Sequence, residues 1–358
     1  MVDLKVCPEC GVPEYITSEH LWLNNGDIVQ ARDQGARLVL IEGENIDPLF
    51  RNIQEIIGVP IEHIVITAMR RATRSYVSRI VPDDVKELIH KKEMDPVPIA
   101  LAMMDVASML GHGGQEYVDL RYEKDNDDYY IVKMLEPFSV PMVCGTIAGA
   151  VEAILGHDRG VTYEQESPEV YKVTTIPLTH PEEFEQRMHM KPYNHRDGDI
   201  ELERCDACGG PKALSAYRWH VERGVIIDET SQRRLVMIGP QELDRIFEEL
   251  KEELGETINQ VIVEAQRRFT KSGFYSIADA RTEEDFRTLL ALRGLGKLKE
   301  IKYSKNGLRM RLDNAALPLM MVGMMQGVFE TSVGEVSTVE WEFSEDGNLE
   351  IEVSQIIW

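Results

Sequence analysis

Two cysteine pairs carry the most legible chemistry in the chain: CPEC, with Cys7 and Cys10, and CDAC, with Cys205 and Cys208, which together hold four of the five cysteines. Glycine follows the second cysteine in both, as Gly11 and Gly209. Two thiolates on one tight turn, with glycine letting the backbone curl beneath them, make a knuckle that grips a metal ion. One knuckle supplies two ligands, whereas a structural zinc takes four at tetrahedral angles. A single structural Zn2+ site formed by Cys7, Cys10, Cys205 and Cys208 is therefore expected, with a redox dithiol and an iron–sulfur cluster as alternatives. Zinc ribbons usually draw both pairs from within about 15–20 residues, so the separation here requires two distant segments to meet.

Arginines form a second group. Arg70, Arg71 and Arg74 stand near the end of one expected helix and Arg267 and Arg268 near the end of another, in a chain whose formal charge is −23. Cations are favoured at helix C-termini and pair with acidic neighbours. The alternative use is a planar fork for the carboxylate or phosphate of a ligand. Cys144 lies in a small-residue stretch and His157 in the following GHDRG turn. Together they mark either a ligand pocket or an inert buried thiol beside a surface histidine. No glycine-rich phosphate loop, nucleophile elbow or paired-carboxylate motif stands out.

The elements that hold these residues are written twice. The stretch from Leu38 through Thr73 lies without a gap over Leu235 through Thr270, matching Asp47 with Asp244, Phe50 with Phe247, Gly58 with Gly255 and the Arg70–Arg71 pair with Arg267–Arg268. Trp22 falls on Trp219 at the same offset, and the cysteine pairs align after a one-residue adjustment. Farther on, Gly145, Gly149, Glu152 and Gly156 match Gly323, Gly327, Glu330 and Gly334. The second copy is shorter, and most of the difference falls around an extra helix and a proline-rich connector after Val81. The chain thus reads as an internal tandem duplication: a first unit over 1–189, a linker over 190–204 and a second unit over 205–358.

Within one copy, LVLIE reads as a buried strand, and Ile46, Leu49, Phe50, Ile53, Ile56 and Ile57 have the spacing of an amphipathic helix closed by Gly58. A basic-ended helix, an alternating hairpin, a small-residue helix and a closing hairpin follow. Helices packed on an antiparallel sheet make each half an α+β domain, the halves related by a pseudo-twofold that would bring the two knuckles together.

Pro141 to Ser167, PMVCGTIAGAVEAILGHDRGVTYEQES, resembles the signature of the 4-vinyl reductase domain, whose superfamily includes haem-nitric-oxide-binding and trafficking-particle domains. Gly145, Gly149, Glu152, Leu155 and Gly156 stand where that pattern places them. The resemblance implies an apolar cavity for a hydrophobic or tetrapyrrole-like ligand, and so a binding module more than a catalyst. It places the cluster Met320, Met321, Met324 and Met325 where the cavity would lie, and Met321 and Met325 join the candidate ligand-binding residues. The Tyr-x-Ser-x-Arg pattern of the haem-binding relatives is not matched. Tyr76-Val77-Ser78-Arg79 has its arginine one residue early, and Phe274-Tyr275-Ser276 has no suitable arginine.

Length and charge bound the rest. At 358 residues the chain has ample core for two domains without disulfides. Its acidity disfavours nucleic acid and anionic membrane surfaces as partners. No long apolar run marks a leader or a span, which gives a cytoplasmic expectation. The expected function is a zinc-containing sensor, carrier or accessory protein for a hydrophobic or anionic small molecule. An enzyme or enzyme subunit acting on an apolar acyl or aromatic substrate and an assembly scaffold are the alternatives, and a homodimer or protein partner is left open.

Overall fold

The computed structural model describes residues 5–180, 196–275 and 282–356. Ser276 and residues 190–195 of the expected linker lie outside them. In chain order the elements are α1 (Glu14–Glu19), β1 (His20–Trp22), β2 (Ile28–Gln30), β3 (Arg37–Glu42), α2 (Ile46–Ile57), α3 (Glu62–Ile80), α4 (Asp83–His90), α5 (Val97–Met109), β4 (Gly114–Arg121), β5 (Tyr129–Leu135), α6 (Val140–Leu155), β6 (Arg159–Ser167) and β7 (Val170–Pro177). They continue with β8 (Tyr217–His220), β9 (Val225–Asp228), β10 (Arg233–Ile238), α7 (Pro240–Leu254), α8 (Ile258–Phe269), α9 (Glu283–Leu292), β11 (Lys297–Ser304), β12 (Gly307–Asp313), α10 (Pro318–Val333), β13 (Ser337–Phe343) and β14 (Leu349–Gln355). The fold is α+β, and α4 occupies the stretch where an extra helix was expected.

The described residues condense into two compact units, each assembled from separated segments. The first takes in residues 60–180 and 218–236; the second takes in 5–59, 196–217, 237–275 and 282–356.

In the first unit β4-β5-β7-β6 form an antiparallel sheet, and α6 crosses α3. Glycine makes that crossing close: a Cβ on Gly145 would meet the Ile66 carbonyl oxygen at 2.5 Å, and one on Gly149 the Arg70 oxygen at 2.1 Å. Gly156, in the left-handed conformation at φ +77°, ends α6. The β8–β10 segment is tied on by the Trp219 indole N–H, which donates to the Met109 carbonyl at 3.1 Å, and by Arg234, which donates to the Gly111 and Glu136 carbonyls at 3.2 and 2.6 Å.

The second unit repeats these contacts with its own residues. Its sheet has the order β11-β12-β14-β13, and α10 crosses α8. A Cβ on Gly323 would lie 2.3 Å from the Val263 oxygen, and one on Gly327 would lie 2.6 Å from the Thr270 Cβ. The β1–β3 segment is tied on by the Trp22 indole, donating to Leu292 at 2.8 Å, and by Arg37, donating to Gly294 and Asn314 at 2.8 and 2.6 Å. Arg37 also pairs with Asp27, both being fully buried. The apolar face of α2 (Ile46, Leu49, Phe50 and Ile53) is buried, and the helix packs on α8.

Among the described residues no helix is long and apolar enough to cross a membrane.

Candidate metal centre and ligand cavity

Both knuckles lie in the second unit, and their backbones match bond for bond. Cys7 N–H donates to Val12 O at 2.8 Å and Gly11 N–H to Cys7 O at 2.9 Å; Cys205 N–H donates to Gly210 O at 2.8 Å and Gly209 N–H to Cys205 O at 2.9 Å. Gly11 and Gly209 sit at φ +72° and +73°, where a side chain would strain the turn. Single bridges, Val6 with Pro13 and Arg204 with Pro211, close the two loops.

The turns bring the four sulfurs into one cluster, all within 4.8 Å of one another, a group that can hold a metal ion. Cys7 Sγ lies 3.7 Å from Cys205 Sγ, and Cys10 Sγ lies 3.6 Å from Cys208 Sγ. A tetrahedron with metal–sulfur bonds of about 2.3 Å has sulfurs about 3.8 Å apart, so the set fits one ion. These separations are well beyond the roughly 2 Å of a disulfide bond, and all five cysteines are free. A cluster would need room for further iron and bridging sulfide between the thiolates, which such mutual closeness does not leave. Without an ion the thiols are inequivalent. The Cys10 backbone N–H, against the opposing effect of burial, helps draw Cys7 down to about 7, whereas burial pushes Cys10 up to about 12. An ion binding here must displace protons.

A second feature lies in the first unit, where α5, α6, β4 and β5 border a half-open cavity of about 90 Å3. Met103, Met104 and Ala107 of α5 face Ile147, Val151 and Ile154 of α6 across it, a wall that is almost wholly apolar and free of charge. Two polar side chains on the sheet, Gln115 and Tyr130, also line it. Tyr130 is 6% exposed, and among the described residues its hydroxyl has no hydrogen-bond partner. Burial raises its pKa, so the hydroxyl keeps its proton and remains a donor.

Four of the five arginines weighed as a ligand clamp or as partners of acidic neighbours are engaged by carboxylates. Arg70 donates to both oxygens of Glu152 at 2.8 Å, and Arg74 donates to Asp158 at 2.9 Å. Arg267 donates to Glu330 at 2.6 Å and to Glu264 at 2.7 Å, and Arg268 donates to Glu264 at 2.8 Å. Arg71 is buried. Each central carboxylate also fixes the strand after its helix: Glu152 accepts from the Arg159 backbone N–H at 2.7 Å, and Glu330 from that of Ser337 at 2.9 Å.

Cys144 is fully buried, and burial pushes its thiol up to about 12. His157 is exposed beyond the far end of the same helix, about 20 Å along the axis. The fold does not bring these two together. Met321 and Met325 are buried in the apolar core of the second unit. Sequence reading had passed over Tyr130 and Gln115. Their signal is a polar residue at an inward position of each strand of an alternating hairpin.

No protein-family model and no curated protein matches the chain. Several solved structures are similar to part of it. One is an H-NOX mutant carrying 4-cyano-L-phenylalanine, at 16% identity over 34% of this chain and 75% of that one, with a TM-score of 0.26. An oxygen-binding H-NOX domain related to soluble guanylate cyclases is 15% identical over 34% of this chain and 73% of that one, with a TM-score of 0.23. The phenol-responsive sensory domain of the transcription activator PoxR with phenol is 12% identical over 45% of this chain and 85% of that one, with a TM-score of 0.30.

Proposed function

We propose that the protein is a non-enzymatic small-molecule-binding module, a sensor or carrier whose ligand enters the first unit and whose second unit is clasped by one structural zinc. The observation that carries the first part is the cavity between α5, α6 and the β4–β5 hairpin, since an apolar pocket with few polar groups is the usual form of a ligand site. The resemblance of Pro141 to Ser167 to the 4-vinyl reductase signature supports the same reading, as does the duplicated pattern of the two copies. Catalysis has less to draw on, because Cys144 is buried and protonated and His157 lies far from it.

The zinc rests on four thiolates with the spacing of a tetrahedron. Cys7, Cys10, Cys205 and Cys208 would hold it, and a site of four protein ligands leaves no open position for substrate. Its contribution is the joining of residues far apart in sequence.

Native mass spectrometry of protein purified without added ligand, together with elemental analysis, tests both parts. We expect one zinc per chain and an organic mass that leaves on denaturation. A protein free of zinc would overturn the metal assignment. A first unit that takes up no neutral apolar compound would overturn the binding role.

A further inference from the structure

The binding role proposed above leaves the ligand's chemistry open, and the cavity wall narrows it. We infer that the first unit selects a compact, neutral molecule, a ketone or alcohol of about five or six carbons, whose oxygen accepts a hydrogen bond from the Tyr130 hydroxyl. This inference rests on that role.

Three observations on the wall lead to it. The lining side chains of α5 and α6 carry no charge, so neither a carboxylate nor an ammonium group entering between them would find a counter-ion to offset its lost hydration. Size is the second constraint. An apolar cavity of about 150 Å3 accommodates benzene, and this one, at about 90 Å3, is smaller. Met103 and Met104, unbranched and adaptable, are the side chains able to yield a little more room.

The third observation concerns polarity. Tyr130 is the aromatic side chain of the wall, on a residue only 6% exposed, and its hydroxyl makes no hydrogen bond among the described residues, which leaves it available to a ligand oxygen. Gln115 pairs in register with Met134, four residues along β5 from Tyr130, about 13 Å away. It therefore lies at the other end of the wall and does not compete for the same oxygen.

The second unit supplies an internal control. Tyr130 and Leu308 are each the second residue of their strands, β5 and β12; Gln115 and Leu298 are likewise second in β4 and β11; and Val151 and Phe329 share the twelfth position of α6 and α10. Leu298, Leu308 and Phe329 are buried together in one apolar cluster with Met321 and Met325. Where the polar residues are absent, the side chains are all apolar and belong to one core, with Phe329 the larger counterpart of Val151.

The experiment uses the full chain with methyl-labelled methionine, followed by NMR during titration with cyclopentanone, cyclopentanol, cyclopentane and cyclopentanecarboxylate. Expected are shifts of Met103 and Met104 with all three neutral compounds, tighter binding of the two oxygenated ones, and none with the carboxylate. Tyr130→Phe should weaken ketone binding about fivefold and leave cyclopentane unchanged. Val151→Phe, verified as folded by circular dichroism, should abolish binding of all. Equal affinity for cyclopentane and cyclopentanone, or a ketone preference that survives Tyr130→Phe, would overturn the selection by Tyr130 while leaving the cavity a binding site. Failure of every neutral compound to shift Met103 or Met104 would overturn both.

Discussion

The first unit has Gln115, Tyr130 and Val151 where the second has Leu298, Leu308 and Phe329, on strands and helices of the same order and register. Around these positions the supporting contacts match closely: glycines at the helix crossing, a glutamate tying the helix to the next strand, a tryptophan and an arginine fastening the extra strands. The difference teaches that a cavity in this fold needs no rearrangement of backbone. At these three positions the first unit has residues that line a cavity and the second has residues of an apolar core. The metal cluster has no such pairing, since both knuckles belong to one unit.

The contrast can be broken at several points. Removing the proposed zinc should have the largest effect, because structural zinc contributes roughly 10–16 kcal/mol in small zinc domains. Hydrogen exchange after chelation, or in Cys205→Ser, should show protection lost across the two knuckles and β1, while α3 and α6 of the first unit stay protected. Uniform loss through both units would show that the metal is not a local clasp.

Next in size are the central carboxylates. Arg70 is 4% exposed, so Glu152→Ala leaves a buried cation unpaired and should cost about 3–5 kcal/mol. Glu330→Ala should cost visibly less, because its partners Arg267 and Lys271 are 19% and 41% exposed and can turn to water. Urea midpoints of the two variants measure the gap, and equal losses would contradict this account.

Exchanging the cavity residues sharpens the comparison directly. Phe329→Ala should cost about 3–5 kcal/mol by opening a hole in a filled core. Val151→Phe should cost less than the roughly 1–3 kcal/mol of ordinary overpacking, since it enters space already present. Calorimetry reads both, and a large penalty for Val151→Phe would mean that the first unit is packed as tightly as the second.

The smallest effect is one of pH. Burial pushes Glu330 up, but Lys271, Ser337 and Arg267 outweigh it, and its pKa is lowered overall. Its stabilisation is present above the ordinary carboxylate range and is lost as pH falls through the lowered value. Glu152 is shifted the other way, since burial outweighs the Arg159 N–H and Arg70, so its contribution is present below the ordinary carboxylate range and is lost as pH rises through the raised value. Glu330→Gln should therefore flatten the acid side of a plot of urea midpoint against pH, and Glu152→Gln should alter the slope in the opposite sense.

Much of the scaffold was legible because it depends on local pattern. Gly145 and Gly149, one turn apart, mark a small-residue helix, and Gly11 and Gly209 announce the knuckle turns. The convergence of Cys7, Cys10, Cys205 and Cys208 could be read only because the surrounding pattern repeats. The cavity was hidden, since a polar residue such as Gln115 at an inward strand position looks the same whether it meets water, a side chain or a ligand. Cys144 and His157, close in sequence, are set apart by the helix, and they stand as an inert buried thiol and a surface histidine. Met321 and Met325 drew notice as soft side chains on a small-residue helix, but they lie in the unit where the corresponding space is filled.

The exchange of segments between the halves of the chain has a consequence for synthesis. Trp22 finds its acceptor 270 residues later, at Leu292, and Cys7 meets Cys205 198 residues later. The first unit likewise waits for β8–β10 before Met109 and Gly111 receive their donors. On a ribosome the β1–β2–β3 strands and the β4-β5-β7-β6 sheet can pair as they emerge, but neither unit gains these tying contacts until the later segment follows.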